Sequence, residues 1–177
     1  MSWTLGPAVS TSTCPAETSP NATSATVRLL RNNQLPDAAS ILLNSDGRLD
    51  LNGCSDTVGP LSLVGGSGVT TGTGTMTLNG GITLAIGTFN TGVPVTGNIS
   101  LGSTDQVFNI LNAAAGSSLI LSGAITGGPN AGIIKTGPGV LELSNPTSAA
   151  NTFGGKTWVR DGVLAPVSYT HLTLPTN

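Results

Sequence analysis

Leu49-Asp50-Leu51-Asn52-Gly53 returns, with small changes, as Met76-Thr77-Leu78-Asn79-Gly80, Leu119-Ile120-Leu121-Ser122-Gly123 and Leu141-Glu142-Leu143-Ser144-Asn145. In each copy two apolar residues flank a middle residue of opposite orientation, the period-2 alternation of a strand with one buried face. The Gly or Asn that follows accepts the turn conformations a chain reversal needs. Adding Val27, Ile99 and Leu164 as first apolar residues of the same kind of strand gives successive gaps of 22, 27, 23, 20, 22 and 23 residues. A near-constant period in this range is the signature of a stacked solenoid. The expected fold is all-β: a β-solenoid of six to seven coils, roughly 22 residues each.

Between these strands lie Ile41-Leu42-Leu43, Leu61-Ser62-Leu63, Ile82-Thr83-Leu84-Ala85-Ile86, Ile133-Ile134 and Trp158-Val159, which supply the other walls. Two or three short strands per coil follow. One such coil leaves its backbone groups unpaired, so stability comes from stacking and accumulates with coil number. The expected organisation is an irregular or partial first coil over residues 1–26, a solenoid over 27–164 and a separate tail over 165–177. Six intervals of about 4.8 Å make a monomeric rod about 29 Å long.

Hydrophobic residues make up 38% of the chain while charged residues make up 8% and aromatics 3%, so the surface must be built from Ser, Thr, Asn and Gly. Six basic residues without a Lys/Arg run leave nothing to neutralise a phosphate backbone, and nucleic acid is not an expected partner. No stretch reaches the roughly 20 apolar residues of a membrane-spanning helix. The opening MSWTLGPAVSTSTCPAETSP lacks the basic start and apolar core of a secretory signal, so either the protein stays inside or its true start lies upstream. Cys14 and Cys54 are 40 residues apart, two turns of such a coil, or near 10 Å, whereas a disulfide wants Cα atoms within about 7 Å.

No catalytic, cofactor-binding or metal-ligating residue is expected. A sugar-cleaving site would need two carboxylates about 5–9 Å apart or an acidic cluster holding calcium. Asp46 and Asp50 are the nearest pair in the first half, but Asp46-Gly47 reads as a turn and Asp50 as part of the strand pattern. Asp37 reads as a turn acid, and Asp56 and Asp105 as loop residues. Glu142 is expected to project outward near Lys156 and Arg160, in a surface ion pair worth about 0–1 kcal/mol. His171, the single histidine, lies in the tail and builds no triad with any serine. Gly65-Gly66-Ser67-Gly68 and Gly72-Thr73-Gly74 lack the Lys-Ser/Thr ending of a phosphate loop and read as coil corners. Trp158 and Phe153 read as core or cap residues, with a sugar-stacking platform as the rival. Asn21-Ala22-Thr23 and Asn98-Ile99-Ser100 match glycosylation acceptors, read here as coincidence.

Lys135-Thr136-Gly137-Pro138-Gly139-Val140-Leu141-Glu142-Leu143-Ser144, followed by Asn151-Thr152-Phe153-Gly154-Gly155-Lys156-Thr157-Trp158-Val159-Arg160-Asp161-Gly162-Val163-Leu164, strongly resembles the autotransporter-associated β-strand repeat, also called the passenger-associated transport repeat. Phe153 takes the aromatic place, and an insertion around residues 146–150 is the main departure. The stretch from Asn32-Asn33-Gln34-Leu35-Pro36-Asp37 through Leu49–Gly53 to Thr57-Val58-Gly59-Pro60-Leu61 is similar to the segment that commonly follows such repeats. The resemblance implies that the solenoid is a single-stranded right-handed parallel β-helix, in a large secreted or surface-displayed bacterial protein of the kind that is often the passenger of a type V secretion system and is exported across the outer membrane. Its partners would be the outer-membrane translocation machinery and a host-surface or polysaccharide ligand. The role it implies is a structural or adhesion scaffold; a β-helical polysaccharide lyase or glycoside hydrolase with catalytic coils elsewhere is the alternative. The ending VSYTHLTLPTN resembles translated sequencing-adapter DNA, so the chain is expected to be a fragment of a solenoid that continues.

Overall fold

A computed structural model of the chain describes residues 24–44, 46–85, 92–111, 118–145 and 151–167. Strand β1 (Thr26–Arg28) precedes a first complete turn made of β2 (Ile41–Leu43), β3 (Arg48–Asp50) and β4 (Asp56–Val58). The second turn is β5 (Leu61–Leu63) and β6 (Gly68–Leu78), and the third is β7 (Ile82–Leu84) and β8 (Val93–Ser100). The fourth is β9 (Gln106–Ile110), β10 (Ser118–Ser122) and β11 (Ile125–Thr126). The fifth is β12 (Ile133–Thr136), β13 (Val140–Ser144) and a bridge at Thr152, after which β14 (Thr157–Val159) and β15 (Val163–Val167) begin another. Every pairing is parallel and joins one turn to the next. The chain is a β-solenoid of about five turns; the expected six to seven coils count the partial turns at its ends.

The turns have three walls. Wall A follows the order β1-β3-β6-β8-β10-β13-β15, and wall C the order β14-β12-β9-β7-β5-β2. Wall B holds β4, the second half of β6, the second half of β8, and β11. β6 and β8 each run through the corner between A and B, where the β6 register shifts between Thr70 and Thr75. Gly72 makes that corner with a φ of +62°, a region open to glycine and costly to other residues. Both Gly-rich stretches are therefore corners, as their composition implies; Gly65 has a φ of +67°.

Side-chain alternation fills the interior with ladders. Wall A stacks Leu49, Val69, Val95, Leu121 and Leu143 inward, wall B stacks Met76, Ile99 and Ile125, and wall C stacks Ile41, Leu61, Ile82, Phe108 and Lys135, with Val159, 51% exposed, in register at the end of the row. The register corrects the sequence reading. Leu49 aligns through Val69 and Val95 with Leu121, not with Leu119, and Met76 and Ile99 belong to wall B rather than to the wall of Leu49. The reason is that Gly68-Val69-Thr70 carries the wall A position of its turn with one branched residue, whereas Met76-Thr77-Leu78-Asn79-Gly80 imitates the Leu49 phrase one corner later.

Outward, wall B presents Thr57, Thr77, Ser100, Thr126 and Thr152 in one row, so a weakly charged surface is satisfied by hydroxyls. Strand β15 also runs three residues beyond Leu164, pairing Val167 with Ser144. Ser168–Asn177, with His171 and the rest of the adapter-like ending, lie outside the described residues. Among the described residues no helix is long and apolar enough to cross a membrane.

Coil-to-coil contact constrains the corner sharply. A Cβ on Gly74 would overlap the Cys54 carbonyl of the preceding turn. Gly74→Ala is therefore expected to cost about 1–3 kcal/mol, the usual range for overpacking. Urea denaturation checks it, and an unchanged midpoint would contradict this approach of the two backbones.

Candidate functional site

Lys135 is an ammonium inside an apolar column. It follows Phe108 in the inward ladder of wall C and is fully buried. It stands in register between Phe108 and Val159, while Nζ donates to Thr136 O at 2.7 Å, Gly137 O at 2.7 Å and Asp161 O at 3.1 Å. Three carbonyls therefore use all three of its donors. The third belongs to the following turn, where Gly162, at φ +70°, brings the backbone so close that an added Cβ would stand 2.9 Å from Nζ. The Asp161 carboxylate turns back on its own loop and accepts Gly162 N–H at 2.8 Å.

Burial pushes the Lys135 ammonium below the ordinary lysine value of 10.5, with the Asp161 charge acting in the opposite direction. Between the lowered value and the ordinary one, the unfolded chain holds a proton that the folded chain has released. This group thus adds stability as pH rises through that window. Lys135→Met should flatten the alkaline rise, a difference read from urea titrations of both proteins on the alkaline side of neutrality.

The acids do not converge. Asp46 is an exposed turn residue, whereas Asp50 is part-buried in β3, 2.9 Å from Arg28 Nε, and accepts Asn52 N–H at 2.7 Å. Asp50→Asn should shift stability by no more than about 1 kcal/mol by urea denaturation, the range of a partly exposed ion pair. Asp56 departs from its expected loop position: it stands in β4, 2% exposed, in the inward column ahead of Met76. Its Oδ2 accepts the N–H groups of Gln34 (2.7 Å) and Leu35 (3.2 Å), so it pins the 34–35 loop to the solenoid. Asp37 lies in an exposed turn and Asp105 in an exposed loop. Among the described residues no group of three or more His, Cys, Asp or Glu could hold a metal ion.

Glu142 does project outward, but on wall A between Ile120 and Ala165. Lys156 and Arg160 flank β14 on wall C, so the expected ion pair does not form. Both cations face Trp158 instead: Lys156 Nζ is 5.6 Å and the Arg160 guanidinium carbon 5.0 Å from its ring centroid. The two aromatics also part company. Phe153 packs against the core, whereas Trp158 is 45% exposed. Its orientation follows from register: Thr157 and Val159 continue the inward residues Ile133 and Lys135, so Trp158 continues the outward column of Val107 and Ile134. The sequence carried that signal in the spacing of Lys156, Trp158 and Arg160, which places all three on one strand face.

Cys54 is fully buried and disulfide-bonded. The other cysteine, Cys14, and the first acceptor asparagine, Asn21, lie outside the described residues. Asn98 pairs with Thr75 in the sheet. Comparison of the chain with family models, curated proteins and solved structures gave no match.

Proposed function

We propose that this chain is a stretch of a secreted or surface-displayed bacterial solenoid, a non-enzymatic structural or adhesion scaffold of the autotransporter-associated β-strand repeat kind. One observation carries the reading. The two halves of the repeat phrase, Lys135-Thr136-Gly137 and Asp161-Gly162, meet around a buried ammonium, so the phrase has a structural use that needs no substrate. A residue whose donors are filled by backbone carbonyls serves to hold one turn on the next. The disulfide at Cys54 is consistent with an oxidising compartment. Hydroxyl-lined, weakly charged walls suit a rod that holds other parts of a longer protein away from a cell.

Antibody raised against the folded chain and applied to intact, unpermeabilised source cells tests this directly. Labelling of intact cells, removed by added protease, supports display. Labelling that appears only after permeabilisation sinks it.

A further inference from the structure

We propose that wall C carries a docking face for an acidic polysaccharide built from uronic-acid sugars, centred on Trp158 and Arg160; it rests on the extracellular scaffold reading and names the partner class. The face has two adjacent columns. One is apolar and outward: Val107 (44% exposed), Ile134 and Trp158 (45% exposed), on three successive turns. The other is polar: Asn109 and Thr136 in register, then Arg160, whose N–H bonds to Lys135 O and so continues the row. Thr136 Oγ1 donates to Asn109 Oδ1 at 3.2 Å, which leaves the Asn109 amide N–H groups for a ligand.

A pyranose ring has a C–H face and a rim of hydroxyls: Val107 and Ile134 offer the apolar contact, while the polar column and the two cations held over the Trp158 ring meet the rim and its carboxylate. Successive strands are about 4.8 Å apart, so three turns offer about 10 Å of continuous contact. The charge decides the sugar. Among the described residues the one ion pair is Arg28 with Asp50, on another wall, so neither Lys156 nor Arg160 has a carboxylate partner. Both are held against the indole, which fixes them before any ligand arrives and lowers the entropy lost on binding. Arginine's planar fork fits a carboxylate with two parallel hydrogen bonds. Two cations on the face match a chain with one carboxylate per sugar; a densely sulfated chain would call for a larger basic patch.

Binding of polygalacturonate to the purified, folded chain, followed by tryptophan fluorescence and by affinity electrophoresis, tests the face. The expected result is binding that weakens as NaCl is raised, with little retention by neutral dextran. Replacing Lys156 and Arg160 together by Gln, or making Trp158→Ala, should weaken it tenfold or more, while Glu142→Gln on wall A leaves it unchanged. Circular dichroism establishes that each variant is folded. Absence of binding by folded wild-type chain, equal binding of dextran, tighter binding of dextran sulfate at matched ionic strength, or full binding by the folded double variant would each overturn the proposal. These results do not depend on where the protein resides, so a failed face and a failed surface location are told apart by this assay and by cell labelling respectively.

Discussion

Leu121→Asp is expected to abolish the cooperative unfolding transition of the solenoid at room temperature. Leu121 is fully buried on wall A, in register with Val95 on one side and Leu143 on the other. The substitution removes about 1.5–3 kcal/mol of apolar burial. It also buries a carboxylate in an apolar ladder, a penalty of several kcal/mol more. Against a total stability of about 5–15 kcal/mol, little or nothing remains. Because turns are stabilised by their neighbours, the damage spreads along the stack. Circular dichroism with a thermal ramp is the check, and a melting curve like that of the wild type would refute the inward placement.

Lys135→Ala is the second large effect, and it differs in being local first. Removing the ammonium strands the carbonyls of Thr136, Gly137 and Asp161, part-buried acceptors for which about 1–3 kcal/mol each is the upper range when left unmade. It also empties the space of the buried stem. The loss should appear as faster hydrogen exchange at Arg160 N–H, bonded to Lys135 O, and at Val163 N–H, bonded to Gly139 O. Exchange at Leu51 N–H, bonded to Thr70 O four turns earlier, should change least. Lys135→Met keeps most of the stem, so its smaller loss measures the carbonyl bonds separately from the packing. If the methionine variant exchanged at the wild-type rate at Arg160 and Val163, the carbonyl bonds would contribute nothing and the clasp would be wrong.

How much of the site could be read beforehand depends on what decides each residue's place. Trp158 was expected as a core or cap residue because its place in the repeat that the chain resembles argues for packing, yet Thr157 and Val159 take the inward register positions and the indole is left between two cations. Asp56 was expected in a loop, yet it stands in a strand, and two backbone N–H groups of a segment some twenty residues earlier satisfy one of its oxygens. Lys135 had no place in any chemical constellation, since its partners are backbone carbonyls, one of them 26 residues away. Side-chain patterns do not announce carbonyl partners.

The sequence by itself determined the solenoid. Alternation at period 2 chooses which side chains face inward, and glycine spacing marks where the chain must turn; both are local properties of a few consecutive residues. Tertiary structure alone decided which strand stacks on which. Sliding a strand by two residues, as between Leu119 and Leu121, keeps every side chain on its own face, so alternation is indifferent to the choice. The choice falls to corners, where Gly74 must pass the Cys54 carbonyl, and to contacts a full turn apart, where Lys135 must reach Asp161. Those contacts join residues twenty or more positions apart, and only the closed stack brings them together.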